Sequence, residues 1–163
     1  MIEGRVWRYG DDVNTDVIFP GKYTYQPLTP EEMAEHALED LDPSFAKEVK
    51  EGDVIVAGAN FGCGSSREQA ATCLVAAGVA AVIAKSFSRI FFRNAINNGL
   101  PVIELREGID GIEKGHIVKI DFERGIVVHK GNEYHFPALP PEVLAILEDG
   151  GLIPHVRKEL RTA

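Results

Sequence analysis

The chain has 163 residues, 45% of them hydrophobic, and a formal net charge of −8 at pH 7. That length supports one compact domain, 1–163, with a real core, and the hydrophobic content excludes a disordered chain. The acidic balance argues against nucleic acid or an anionic membrane surface as partner, and no apolar run reaches membrane-spanning length.

Residues 1–7 lack the apolar h-region of a secretory signal, so a cytoplasmic protein is expected. The two cysteines, Cys63 and Cys73, form neither a disulfide framework nor a metal-ligand spacing. The five histidines are scattered, with no His-Glu-x-x-His pattern, and read as surface or packing residues. No metal site is therefore expected in this chain.

Residues 5–9 alternate in polarity and predict a short strand. Residues 10–16, Gly-Asp-Asp-Val-Asn-Thr-Asp, are turn chemistry, rich in side chains that bond their own backbone. On pattern alone Asp16 is a turn or cap residue. Residues 19–30 form a long loop with three prolines, and loops of that length are often functional. Thr29 caps a helix over 30–38, with Pro30 and acids in its first turn. A second short helix is predicted over 43–49, then a turn into a strand at 53–57. Residues 69–77 predict a helix ended by Gly78. Residues 79–84 are apolar throughout, as in a parallel strand covered on both faces. A helix over 89–97 and a strand over 101–105 follow. Strand, helix, strand, helix, strand implies right-handed parallel crossovers. Arg89 and Arg93 lie four apart on that second helix, and structural ion pairs are expected of them. Residues 117–122 and 125–129 read as a hairpin that 133–136 extends, and helices are predicted over 142–148 and 152–160.

The rest of the chain is organised around residues 58–68, Gly-Ala-Asn-Phe-Gly-Cys-Gly-Ser-Ser-Arg-Glu, between a strand and a helix. Its glycines permit positive φ and close approach of the backbone to a ligand. Ser65 and Ser66 are expected where the helix begins, among free N–H groups that favour an anion, with Arg67 adding a planar cationic fork. The competing reading is an ordinary serine N-cap followed by a solvated first turn. A P-loop is excluded because no lysine lies in the turn. A dinucleotide fingerprint is excluded because Arg67 stands at its third glycine, and Gly64-Ser65-Ser66-Arg67 does not fit a nucleophile elbow. An anion site with hydroxyls beside it remains.

Residues 60–68 resemble the Gly-x-Gly-Ser-Ser-Arg-Glu signature of the aconitase superfamily's swivelling domain. The likeness continues in residues 84–94, Ala-Lys-Ser-Phe-Ser-Arg-Ile-Phe-Phe-Arg-Asn, and in residues 10–18. As a separate short chain the sequence is similar to the small subunits of the isopropylmalate dehydratases and of the related homoaconitases. The resemblance implies an α/β swivelling β/β/α domain, with a parallel-rich central sheet flanked by helices plus a C-terminal β-hairpin and helix. It implies that Ser65 acts as the catalytic base in its alkoxide form and that Asp16 helps to position it. Ser66 and Arg67 would bind a substrate carboxylate. The loop carrying Lys22, Tyr23, Thr24, Tyr25 and Gln26 would close over the substrate and read its side chain. That loop has no arginine, which suits an apolar isopropyl group better than an extra carboxylate, although Lys22 is a cation within it. The reaction implied is hydro-lyase chemistry on a small hydroxy-dicarboxylic or tricarboxylic acid, with 2-isopropylmalate first and homoaconitate as the alternative.

In that family three thiolates hold a [4Fe-4S] cluster, and two cysteines cannot supply the set. The cluster is therefore expected in a partner large subunit, in a heterodimer or heterotetramer, and no cofactor is expected in this chain. Two other classes stay open on the residues alone. One is an anion-binding regulatory module. The other is a free-standing hydrolase using Ser65, for which no placed histidine is evident.

Overall fold

The structure is a computed structural model, and it describes residues 1–162. Seven strands form one mixed sheet in the order β4-β3-β2-β1-β5-β6-β7. The strands are β1 (Ile2–Arg8), β2 (Val54–Ala57), β3 (Ala81–Ala84), β4 (Val102–Glu104), β5 (Ile117–Asp121), β6 (Ile126–His129) and β7 (Asn132–His135). β1 to β4 are parallel neighbours in register, with Val6 opposite Val54, Val54 opposite Ala81 and Val82 opposite Val102. β5 to β7 form an antiparallel meander. β1 joins the halves, pairing in parallel with β2 and antiparallel with β5, where Gly4 faces Val118. The C-terminal hairpin expected from the sequence is thus a continuation of the same sheet.

Apolar burial explains the layers. β2 and β3 read Val-Ile-Val-Ala and Ala-Val-Ile-Ala, and every side chain is buried. One face packs Trp7, Ile55 and Val82 against α4 (Gln69–Ala76) and α5 (Arg89–Asn97), through Leu74, Phe91 and Ala95. The other face, with Val6, Val56 and Ile83, packs against Val118, Ile120 and Val127 as the antiparallel half curls over it. Helices α6 (Pro141–Glu148) and α7 (Leu152–Thr162) close the chain against α5.

Three short helices lie in the first parallel crossover, between β1 and β2: α1 (Thr15–Ile18), α2 (Pro30–Ala34) and α3 (Phe45–Glu48). Thr29 caps α2 in a reciprocal capping box with Glu32. α2 stops four residues before the predicted end. Leu38 takes φ +55°, and its N–H donates to Ile18 O at 2.8 Å, so a tertiary bond replaces the helical one.

The parallel strands leave their C-terminal ends along one edge, and the three sequence motifs emerge there side by side. Main-chain bonds lace them together: Gly62 N–H to Val13 O at 2.7 Å, Phe61 N–H to Ser86 O at 3.0 Å, and Asp12 N–H to Ala59 O at 2.9 Å. Asn60 Nδ2 donates to Asp12 Oδ1 at 3.1 Å, and Ser88 Oγ donates to Gly62 O at 2.7 Å. Open sheets place ligand sites at this edge for topological reasons.

Candidate active site

The glycine-rich segment turns over a buried aromatic. Phe61 is fully buried and packs edge-on against Phe87 and Phe91, with ring centroids 6.0 and 5.2 Å away. Gly62 has φ +79°, and a Cβ there would lie 2.2 Å from Phe91 Cγ. Gly64 has φ +99° and passes close to Asn14 and Thr15. These two glycines bring residues 63–67 against α1 without a side chain in the way.

The placement of the serines differs from expectation. α4 begins at Gln69 with Glu68 at the cap position, and no side chain caps it. Ser65 and Ser66 lie in the bend before the helix, so neither is an N-cap and neither sits directly on its free N–H groups. The charged group bonded to Ser65 Oγ is Arg67, through Nε–H.

Arg67 is the hub of the site. Its Nε donates to Ser65 Oγ at 3.2 Å and its Nη1 to Thr24 Oγ1 at 2.6 Å. Its Nη2 donates to Phe19 O at 2.9 Å and forms an ion pair with Asp16. The guanidinium expected to present an open fork to an anion is thus engaged on three edges by protein groups, and its side chain is only 13% exposed. The fork geometry explains why one residue spans four acceptors. Asp16 sits in the first turn of α1, which Asn14 caps by accepting the Val17 N–H at 2.9 Å.

Ser65 is solvent-exposed, and its Oγ lies 3.2 Å from Thr15 Oγ1. Ser66 is also exposed, beside it. Ser65, Ser66, Arg67 and Asp16 are therefore gathered in one place from segments about 50 residues apart. The loop residues divide. Thr24 turns inward to Arg67, and its carbonyl accepts from Gln69 Nε2 at 3.2 Å. Tyr23 stacks on His36 with centroids 3.9 Å apart, and Lys22 lies over the Tyr23 ring and 4.0 Å from Glu39. Gln26 Nε2 reaches Lys22 O at 3.5 Å. Tyr25, at 98% exposure, points into solvent.

Two residues of the site were not singled out by the sequence. Thr15 is buried beneath Ser65, and the Phe19 carbonyl anchors Arg67. The only signal for Thr15 was a hydroxyl next to Asp16 in the turn motif. Arg89 and Arg93 do not form the expected ion pairs. Both are exposed, and among the described residues neither pairs with a carboxylate. Arg89 instead lines a cleft of about 450 Å³ with Phe87, Phe92 and Leu139, apart from Ser65. Among the described residues, no group of three or more His, Cys, Asp or Glu is arranged to hold a metal ion. Cys73 is buried in the core and Cys63 is half-buried, so the side chains present do not fit a three-thiolate cluster. No helix among them is long and apolar enough to cross a membrane.

The profile of the Aconitase C-terminal domain family matches residues 13–108, which hold the whole of this cluster. The chain belongs to the aconitase C-terminal domain family. Curated relatives resemble it end to end. The 3-isopropylmalate dehydratase small subunit of Caldanaerobacter subterraneus is 49% identical over 162 residues, covering 98% of this chain and 100% of that one. Small subunit 1 of the same enzyme from Archaeoglobus fulgidus is 55% identical over 152 residues, covering 92% and 93%. A crystal structure of 3-isopropylmalate dehydratase from Methanocaldococcus jannaschii superposes with a TM-score of 0.92 at 46% identity, covering 99% of this chain and 96% of that one. The mixed α/β fold of this aconitase C-terminal domain is thus shared with a solved relative, including the antiparallel half beyond residue 108.

Proposed function

We propose that this chain is the small subunit of 3-isopropylmalate dehydratase, a hydro-lyase of leucine biosynthesis, active in the cytoplasm with a cluster-bearing large subunit. The observation that carries the reading is the convergence of Ser65, Arg67 and Asp16 on the carboxyl edge of the sheet, in a chain about half identical to curated small subunits over its full length.

Ser65 Oγ takes the proton from the carbon next to the one bearing the hydroxyl. The C–H electron pair becomes the double bond of 2-isopropylmaleate as hydroxide leaves. Readdition of water in the opposite sense gives 3-isopropylmalate, with the proton returned from Ser65. A [4Fe-4S] cluster held by the partner would supply Lewis acidity toward the leaving hydroxyl. Arg67 and Ser66 orient a substrate carboxylate. Arg67 releases Thr24 to do so, since Thr24 lies on the loop and is held there by Arg67 and Gln69. Tyr23, Tyr25 and the aliphatic stem of Lys22 then meet the isopropyl group.

The openness of the site supports the need for a partner. Ser65 and Ser66 face solvent, and Asp16 is 69% exposed. A serine hydroxyl in water stays protonated. Covering the site would exclude water and strengthen the Arg67 field. The test is to mix the chain with its large subunit, reconstituted anaerobically, and assay isopropylmalate beside homoaconitate. The chain alone should turn over neither acid, and the complex should prefer isopropylmalate. Faster turnover of homoaconitate would overturn the substrate assignment.

A further inference from the structure

We propose that Thr15 is a positioning residue for the base: its hydroxyl and the Arg67 Nε–H form a two-donor cradle for the oxyanion of Ser65. This rests on the reading of Ser65 as the base and adds to it the group that holds that base in its reactive form.

Thr15 is one of three buried polar or charged residues among those described, with 2% of its surface exposed. A buried hydroxyl needs a partner. Here the partner is Ser65 Oγ, at 3.2 Å. Thr15 is itself fixed by its main chain. Its N–H donates to Cys63 O at 2.8 Å, and its carbonyl accepts from Phe19 N–H at 2.9 Å. The same strand of loop that carries Ser65 therefore sets the position of Thr15 Oγ1. Gly64 keeps the approach clear, since a Cβ there would stand 3.4 Å from that oxygen.

The direction of the Thr15–Ser65 bond depends on the state of the serine. Arg67 Nε–H can only donate, and it donates to Ser65 Oγ at 3.2 Å. While Ser65 keeps its proton, either hydroxyl can donate to the other. Once Ser65 is an alkoxide, Thr15 is the donor. The bond then becomes charge-assisted and strengthens as the negative charge appears. An interaction that strengthens only with the developing charge raises kcat rather than merely tightening binding. The charged side chains linked to this oxygen are Arg67 and, through it, Asp16. Thr15 adds a second, neutral donor from a residue that is itself buried, and the large subunit would shield the exposed serine from water.

The experiment uses the complex with the large subunit and isopropylmalate as substrate. Activity of the wild type and its loss in Ser65→Ala establish the underlying reading first. Inactivity of the wild-type complex would fault that reading and not the role of Thr15. Thr15→Val keeps the shape and removes the donor. Its kcat should fall about 100-fold, the scale for one oxyanion donor, with KM nearly unchanged. The rising limb of kcat against pH should move to higher pH, because losing a donor to the anion raises the pKa of the base. Thr15→Ser should restore both the rate and the position of that limb. Should Thr15→Val not assemble with the large subunit, Thr15→Ala carries the same test. A wild-type kcat in the donor-less variant, or a loss with an unmoved pH profile and no rescue by serine, would overturn the proposal.

Discussion

Replacing Arg67 with lysine keeps the charge and removes the fork. In the wild type the guanidinium serves Ser65 Oγ, Thr24 Oγ1, Phe19 O and Asp16 from three nitrogens. A lysine carries a methylene where Nε–H stands, so Ser65 loses that donor altogether. Loss of one oxyanion donor costs roughly 10²–10³ in kcat. The ammonium cannot reach Thr24 and Phe19 O together in the same geometry. Losing both bonds costs about 1 kcal/mol each, about 2 kcal/mol of stability in total. The ion pair with Asp16 adds nothing to that sum, because Asp16 is 69% exposed and such pairs are screened. For a chain of this length, about 2 kcal/mol lowers Tm by roughly 4–8 °C. Circular dichroism of the isolated Arg67→Lys chain reads the stability, and turnover in the reconstituted complex reads the catalysis. A variant with wild-type kcat would refute the role of the Nε–H donor. An unchanged Tm would refute the hub arrangement.

Two further outcomes follow from the same geometry. Gly62→Ala should cost roughly 2–5 kcal/mol in urea unfolding, combining a collision with Phe91 at 2.2 Å and a left-handed φ. A loss below about 0.5 kcal/mol would contradict the packing of the loop on Phe91. Stability should also fall with acid through Asp53. Burial raises the pKa of its carboxyl, but bonds from the Lys50 N–H, the Trp7 indole and Arg5 outweigh that and leave it below the ordinary range. The folded form thus binds fewer protons than the unfolded one. The contribution is present above the ordinary pKa of about 4 and is lost as pH falls through the folded value. Asp53→Asn should be less stable at pH 7 and should show a flatter decline in urea midpoint below pH 4. An equal slope in both proteins would remove Asp53 from the acid response.

Much of the fold was legible because its signals are local. The all-apolar run at 79–84 declared β3 a parallel strand covered on both sides, and the helix predicted over 89–97 matches α5 (Arg89–Asn97) to the residue. Long-range pairing was not legible. Nothing near Ile2–Arg8 announces that it bonds β2 on one side and a strand more than 100 residues away on the other. The site was legible as a set of residues rather than as a circuit. Ser65, Arg67 and Asp16 do meet, but a sequence does not say which donor meets which acceptor. Arg67 was expected to face an open anion site and instead holds Thr24 and Phe19 O as well. The start of α4 at Gln69 was legible from the same local periodicity, but the place of Ser65 and Ser66 in the bend before it was not.

The most direct measurement is turnover of isopropylmalate by Ser65→Ala in the complex with the large subunit, with exchange of the substrate's carbon-bound hydrogen followed in deuterated water. Removal of a general base should lower both turnover and exchange by roughly 10²–10⁴-fold, while the variant melts and assembles as the wild type does. Wild-type exchange in a folded, assembled Ser65→Ala complex would show that another group takes the proton.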